Sequence, residues 1–340
     1  MLLCVYCYLD TFRYILVGRF TVVKRLFVFL FLIIQLKLCC LGVNISAAVN
    51  TILSEYGLSE QDTPATTDHG SNIVAALRNA VRLDCLCHRL HTVLESAWRD
   101  TRRDDPDAAA YETTISELCR FAKQSTGIQE QLPKSLKHGG DTRPWMSMFR
   151  RAESVEASYD ALVTVLTGKD RLDLIAGVNR SFNRDVLEIT KSVKQVFESL
   201  EKGEDATLML VVPSYYLLMK TLAPVVRESG TTKAFKDNLR RYLDSKFWPS
   251  INALHWMATF LDPSFKHLEF LPQNSSDDTQ FKRNLLQDLD AWMMEEVNVV
   301  TETLNARRNA EEQAGLEYSF IICNSNLQSI TYLLDCICAP

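Results

Sequence analysis

A repeated helical pattern of apolar residues is the feature that most constrains this fold. It is clearest in SFNRDVLEITKSVKQVFESLEKG, residues 181–203, where apolar side chains recur at alternating spacings of four and three: Phe182, Val186, Ile189, Val193, Val196 and Leu200. This spacing places all six side chains on one face of a helix, with Ser181 as the expected N-cap. Because an apolar face of this width must be covered by other helices, the pattern predicts a helical bundle.

The same period recurs in three other segments, so helices are expected to supply most of the core. The residues predicted to be buried are Val49, Ile52 and Leu53 in 45–57; Phe235, Leu239, Tyr242 and Leu243 in 232–248; and Phe281, Leu285, Leu289, Trp292, Val300 and Leu304 in 279–304. Only three short runs resemble strands: PATTD (64–68), VRLDCLC (81–87) and TLMLVV (207–212). The predicted fold class is therefore mainly α.

Charge limits the kind of nucleic-acid contact that the chain can make. The formal net charge is -5, so any such contact has to come from a local patch. The best candidate is residues 134–151, where five cations surround Trp145 and only Asp141 is acidic: Lys134, Lys137, Arg143, Arg150 and Arg151. Cations that contact phosphates, beside an aromatic ring on which a base stacks, suit single-stranded nucleic acid. The alternative interpretation is a solvated loop and a helix start.

The two ends of the chain differ from its middle. Seven of the ten cysteines lie in residues 1–40 and 323–340, and the long middle contains Cys85, Cys87 and Cys119, which is typical of a reducing compartment. Residues 24–43 combine a basic flank with an apolar run that Gln35 and Lys37 interrupt. This run is either a signal anchor, which would place the protein in a membrane or the secretory pathway, or a segment outside the fold.

A carboxylate at the end of a predicted strand is the main candidate for chemistry. In PATTDHGSNIVAAL, residues 64–77, Asp68 follows the strand run, and Gly70 permits a sharp turn into a short helix. Carboxylates at strand ends can converge on Mg²⁺, which stabilises the oxygens of a phosphodiester during cleavage. One carboxylate cannot hold such a metal pair, so Asp68 can equally be a turn residue.

Five segments, in order, resemble the hAT family of transposases and its domesticated relatives with BED-type zinc fingers. They are TTDHGSNIVAALR, RLDCLCHRLHTVL, DTRPWMSMFRRAESVEASYDAL, ATLMLVVPSYYLLMKTL and LHWMATFLDPSFKHLEFL. The resemblance covers about residues 45–272 and implies an RNase H-like α/β core with a large helical insertion. Asp68 matches the second acid of the family's Asp-Asp-Glu triad, Cys85 and His88 match its Cys-x-x-His motif, and Trp145 matches the insertion-domain tryptophan that stacks on distorted DNA.

Departures from the family pattern weaken the case for catalysis. Asp10 lacks the context of the first acid, and Glu295 and Glu296 lie in a predicted amphipathic helix and do not match the third. No BED finger and no C-terminal dimerisation segment is recognised, so the chain is interpreted as a fragment. Asp68 is therefore predicted to be vestigial, with no metal site and no cofactor; Mg²⁺ is expected only with a complete triad.

The sequence predicts four regions and a nuclear, catalytically inactive protein derived from a transposase. The regions are an apolar segment (1–44), a partial RNase H-like core (45–94), a helical insertion (95–310) and an atypical tail (311–340). Expected partners are DNA, bound weakly and without sequence specificity, and another copy of the chain; no small-molecule substrate is expected. Two alternatives stay open: a membrane-anchored or secreted helical interaction protein, and a truncated form of an active transposase.

Overall fold

The computed structural model describes residues 42–55, 58–61, 63–137, 144–201, 207–265, 267–272 and 276–313. These residues divide into two compact units. The first contains the described parts of 42–85, 207–213 and 251–313, and the second contains those of 86–201 and 214–250. The apolar run at residues 24–43 lies almost entirely outside the described residues, as does the tail from residue 314. The mainly α prediction is confirmed, whereas the predicted boundaries at 44, 94 and 310 stay predictions.

The first unit combines two short strands with helices. In chain order it contains α1 (Gly42–Glu55), β1 (Ala65–Thr67), α2 (Ser71–Ala76), β2 (Arg82–Asp84), a 3-10 helix (Leu208–Leu210), α11 (Ala253–Leu261) and α12 (Ser276–Gln313). β1 and β2 pair in parallel with Thr67 opposite Asp84. A parallel pair needs a crossover connection, and α2 lies within it. The predicted strand at 64–68 is confirmed, whereas that at 81–87 is correct only for 82–84, since α3 begins at Leu86.

Two apolar clusters hold the strands of the first unit. Ala65 of β1 packs with Ile73 of α2 and with Leu77, which directly follows α2, and Val49 of α1 packs against this cluster. Leu83 of β2 packs with Leu208 and Ala258. The Thr259 hydroxyl also donates to the Met209 carbonyl at 3.0 Å. The two strands are therefore held by helices, although the unit contains few residues in β conformation.

The second unit is helical throughout its described residues. It contains α3 (Leu86–Asp104), α4 (Pro106–Gln124), α5 (Pro144–Ala157), α6 (Tyr159–Thr167), α7 (Asp173–Ala176), α8 (Arg180–Leu200), most of α9 (Val211–Thr221) and α10 (Gly230–Tyr242), with a π-helical turn (Leu243–Phe247) after α10. α3 packs on α4, α8 and α10, and α5 packs on α4 and α8. All six predicted stripe residues of α8 are buried, so the bundle interpretation holds where the period is strongest.

An aromatic cluster forms the centre of this unit. The Trp98 ring lies 6.2 Å from Tyr111, 6.4 Å from Phe182 and 5.1 Å from Phe235, measured between ring centroids. The buried Tyr111 hydroxyl donates to Asn183 Oδ1 at 2.7 Å. Aromatic rings at these separations stabilise beyond the area that they bury. Because one ring comes from each of α3, α4, α8 and α10, the cluster fixes four helices together.

Three local predictions are wrong. Residues 207–212 form a 3-10 helix and the start of α9, because a short apolar run does not by itself distinguish a strand from a buried helix. Asn179, rather than Ser181, caps α8 by accepting from the Phe182 N–H at 3.0 Å. Phe281 on α12 is 45% exposed, although its neighbours in the stripe Leu285 and Leu289 are buried. None of the helices in the described part of the chain is long and apolar enough to span a bilayer.

Candidate strand-edge site and nucleic-acid interface

The ends of β1 and β2 place two carboxylates at one edge of the parallel pair. Asp68 directly follows β1, as predicted, and Asp84 is the last residue of β2. The Cys85 N–H donates to the Thr67 carbonyl at 2.7 Å and extends the pairing by one bond. The predicted position of Asp68 at a strand end is therefore correct, and sequence reasoning missed that Asp84 shares this edge.

The Asp68 carboxylate closes the turn that follows β1. Its Oδ1 accepts from the Gly70 N–H at 3.0 Å. A Cβ at position 70 would lie 3.0 Å from the same oxygen, so glycine allows this close approach. This is the bonding of a turn residue, which was the alternative role considered for Asp68.

Asp84 contacts an arginine and a histidine at the same edge. Its Oδ1 lies 3.0 Å from Arg82 Nη1 and 3.1 Å from His69 Nε2, and its side chain is only 14% exposed. A carboxylate that already pairs with a guanidinium is a poor Mg²⁺ ligand, because the ion would have to displace that cation. Among the residues that the structure describes, no three His, Cys, Asp or Glu side chains are grouped to bind a metal ion.

The residues of the Cys-x-x-His motif lie at the junction of β2 and α3. Cys85 is half-buried beside β2 and forms no disulfide within the described part of the chain, and His88 is exposed on α3. The His88 ring faces His91 with centroids 6.1 Å apart, and His91 Nε2 lies 3.4 Å from Glu95. The role of Cys85 and His88 stays a prediction.

The basic segment before α5 is fixed against that helix by two serines. The Lys134 N–H donates to Ser158 Oγ at 3.2 Å, and the Lys137 N–H donates to Ser154 Oγ at 3.1 Å. The structure thus brings Lys134 and Lys137 to α5, the helix that carries Arg150 and Arg151. α5 begins at Pro144, which suits the first turn of a helix and places Trp145 there. Arg143 and the Trp145 side chain lie outside the described parts of the structure.

Two of the predicted DNA contacts already have carboxylate partners. Lys134 Nζ lies 2.8 Å from Glu153. Arg151 is only 16% exposed; it donates to Ser116 Oγ at 2.6 Å and lies 3.9 Å from Glu112. Counting charges over residues 134–151 therefore overstated the positive charge of this surface, because Glu112 and Glu153 fall outside the counted segment. Arg150 is exposed.

Comparison with known proteins gives three distant relatives. Over 236 residues, 66% of this chain, it is 22% identical to the transposable element Hobo transposase of Drosophila melanogaster. Over 219 residues, 64% of the chain, it is 24% identical to zinc finger protein 618 of Mus musculus and of Homo sapiens. The aligned part spans 34% of the transposase and 22–23% of the zinc finger proteins. No family model matches the chain.

The aligned lengths of 219 and 236 residues are similar to the length of the segment, residues 45–272, that carries the sequence resemblance. The identity of these alignments is too low to carry individual residue roles from one protein to another. They do support common ancestry, because a similar share of the chain is matched in each protein. The chain is therefore a distant relative of a transposase and of zinc finger protein 618.

Proposed function

We propose that this is a nuclear, transposase-derived protein that binds DNA weakly and without sequence specificity and does not cleave it. The main observation in favour is the distant relationship to the Hobo transposase, which extends over two-thirds of the chain. The basic segment supports the binding part of the proposal, since Ser154 of α5 and Ser158 after it bond to the backbone of Lys137 and Lys134 and hold both residues near the helix that carries Arg150. The finer elements, an RNase H-like core and a role for Trp145, are part of the proposal.

The bonding at the strand edge favours an inactive protein. Two-metal cleavage of a phosphodiester needs several carboxylates that converge on the ions. Asp68 directs one oxygen to Gly70, and Asp84 pairs with Arg82 and His69. Each carboxylate already has a partner within the protein, so Asp68 is proposed to keep the turn and to have lost any catalytic role.

The full chain is expected to leave DNA intact. Supercoiled plasmid incubated with the purified chain and Mg²⁺ or Mn²⁺ should show no nicking beyond the level of a buffer control. Asp68→Ala, prepared in parallel, reveals any contaminating nuclease, because a contaminant is unaffected by the substitution. Metal-dependent nicking by the wild type that disappears in Asp68→Ala would show that the site is active and the proposal wrong.

Binding is expected to depend on Trp145 and on salt. A few phosphate contacts give at best about micromolar affinity, and binding should fall steeply when salt is raised from about 50 to 200 mM. Trp145→Leu should weaken binding of a labelled single strand by about 1–3 kcal/mol, whereas Trp145→Phe, which keeps an aromatic face, should lose much less. Fluorescence anisotropy measures both, with circular dichroism to confirm the helical content. Equal affinity of wild type and Trp145→Leu would remove stacking from the proposal.

A further inference from the structure

A cleft in the second unit is lined by an excess of positively charged side chains. It lies between α3 and α4, is open to solvent and has a volume of about 720 Å³. Half of its ten lining residues are arginines, and two are glutamates, Glu112 and Glu117, so the lining is strongly positive in a chain whose net charge is -5. The five arginines are Arg99, Arg102, Arg103, Arg120 and Arg151. We call this cleft the arginine groove.

The groove follows from a tight connection between two helices. α3 ends at Asp104 and α4 begins at Pro106, so a single residue connects the two helices. That residue, Asp105, caps α4 by accepting from the Asp107 N–H at 2.8 Å. The last turns of α3 and the length of α4 from Ala109 to Arg120 line the groove. Arg99 and Arg103 are four residues apart on α3, which places them on one face about 6 Å apart along the axis.

Glu112 at the base of the groove is already bonded to the protein. It accepts from the indole N–H of Trp98 at 2.7 Å and lies 2.8 Å from Arg102 Nη1. Arg151 lies 3.9 Å from its other oxygen. Its charge therefore orients Arg102 and Arg151, and it competes little with an anion that enters from solvent. Arg102 Nε is buried and has no hydrogen-bond partner among the described residues.

Three arginines at the rim present their guanidinium groups to solvent. The side chains of Arg99 and Arg103 are 63% and 64% exposed, and Arg120 is also exposed. Arg103 forms a bidentate pair with Asp104, its Nε and Nη2 each lying 2.8 Å from a carboxylate oxygen, and Asp104 is itself 59% exposed. A phosphate that binds Arg103 must therefore compete with Asp104 for the same guanidinium fork, in contact with solvent.

The buried carboxylate of Asp100 bonds on both sides of α3. Its Oδ2 accepts from the Tyr242 hydroxyl at 2.5 Å and from Arg241 at 2.9 Å, both of which come from α10. Its Oδ1 accepts from two rim arginines, from Arg103 at 3.2 Å and from Arg99 at 3.5 Å. Asp100 therefore joins α3 to α10 and compensates part of the charge of the rim, while the five arginines of the lining still outnumber its two glutamates.

We propose that the arginine groove binds the phosphodiester backbone of a nucleic acid. The planar guanidinium fork of arginine matches the two oxygens of a phosphate, and an open groove with repeated cations suits an extended polyanion. Continuity with α5 favours nucleic acid over an acidic peptide, since Arg151 extends from that helix into the groove and Trp145 lies in its first turn. The inference rests on the proposed function for the choice of nucleic acid and assigns the main phosphate contacts to the groove.

Neutralising the rim tests the assignment directly. In the full chain, Arg99→Gln, Arg103→Gln and Arg120→Gln together should lower the affinity for a fluorescein-labelled single strand by about tenfold or more at low salt. The slope of log affinity against log salt should fall by about 2, since each contact with a single strand contributes about 0.7. The matched control removes the same charge from exposed positions on the same unit that do not line the groove: Lys191→Gln, Lys220→Gln and Lys233→Gln.

Two single substitutions with opposite expected effects on affinity test the groove if the triple variant does not fold. Thr113 is exposed in the groove, and its hydroxyl bonds only to the Ala109 carbonyl of its own helix. Thr113→Glu should weaken binding about three- to tenfold, with Thr113→Gln as its uncharged control. Glu117→Gln, which removes an exposed carboxylate from the lining, should instead strengthen binding and steepen the salt slope.

The outcomes separate this inference from the proposed function. If the rim variant loses binding and the lysine control does not, the result supports phosphate binding in the arginine groove, whether or not Trp145→Leu has an effect. If Trp145→Leu binds more weakly and the rim variant binds like the wild type, the assignment of phosphate contacts to the groove is wrong, and the proposed function still stands. An equal loss in the rim variant and the lysine control also overturns the groove, because the effect is then one of net charge. A wild type that does not bind at low salt overturns both.

Discussion

Trp98→Ala is expected to lower the free energy of unfolding of the second unit by about 4 kcal/mol, the typical cost of removing a large buried aromatic side chain. Trp98 is 8% exposed and contacts rings from three other helices. The substitution leaves a cavity that these helices can close only in part. Since domains are stable by about 5–15 kcal/mol, the loss is a large fraction of the total.

Hydrogen exchange read on peptides of α3, α4 and α8 measures this loss for the second unit alone. Denaturant unfolding of the whole chain would combine two units and need not be two-state. Leu217→Ala on α9 is the comparison within the same unit, because this side chain is 53% exposed and its removal should cost less than about 1 kcal/mol. Similar losses for Trp98→Ala and Leu217→Ala would show that the aromatic cluster does not hold the helices.

Trp98→Phe separates packing from hydrogen bonding at the same position. The phenyl ring fills most of the site, but the bond from the indole N–H to Glu112 is lost. We expect a loss of about 1–2 kcal/mol, mainly from leaving a partly buried carboxylate oxygen with one donor fewer. Arg102 still pairs with Glu112, so the lining of the arginine groove should survive in this variant.

Burial along helices could be predicted because the signal is local. On α8 every apolar position of the stripe is buried, since a period of 3.6 residues is set by helix geometry and not by the neighbouring helices. The limit of this signal appears on α12. The periodic pattern includes Phe281, but the pattern alone cannot show where along a helix of 38 residues the neighbouring elements end.

The strand-edge site could be predicted only in part. Asp68 was identified from a turn pattern within a few residues, which is local information. Asp84 was missed because its importance depends on the pairing that places it opposite Thr67 and on the contact with His69. The short apolar run at 207–212 shows the same limit, since its interpretation as a strand required knowing which surfaces would cover it.

Charge was the property least accessible from the sequence. The five cations of residues 134–151 were counted together, yet Arg151 is directed towards Ser116 and Glu112 on another helix. The arginine groove draws its lining from α3, α4 and α5, so no window of the sequence contains it. Asp100 likewise meets Tyr242 and Arg241 across more than a hundred residues, and only the packing of α3 on α10 brings them together.

Acid is expected to destabilise the first unit through His255. This side chain is fully buried in the first turn of α11, where its Nδ1 accepts from the Asn252 N–H at 3.2 Å in a capping box. Burial lowers the pKa of His255 to about 4, and the nearby negative charge of Asp84 opposes this shift only in part. The neutral imidazole is therefore the form that the folded state accommodates.

The direction of the stability change with pH, and the pH range in which it occurs, follow from the lowered pKa of His255. In the unfolded chain a histidine titrates near pH 6.5, so below this value the unfolded state binds a proton that the folded state excludes until about pH 4. The stability that the neutral His255 contributes is therefore present above about pH 6.5 and is lost as the pH falls from there to about pH 4. Between pH 7 and pH 5 the loss from His255 should be about 2 kcal/mol.

Comparison with His255→Gln isolates this contribution. Glutamine does not titrate, and its side-chain oxygen can still accept from the Asn252 N–H. The variant should be less stable than the wild type at pH 7. Because it has no titrating group at position 255, it should lose much less stability on acidification. Subtracting the two pH profiles, measured by hydrogen exchange in α11, removes the groups that both chains share. Asp100 and Glu156, whose pKa values their hydrogen-bonding partners lower, lose their stabilising effect only below the range used. Parallel profiles from pH 7 to pH 5 would mean that water reaches the imidazole, and that α11 does not seal the first unit as its packing on Leu83 and Leu208 implies.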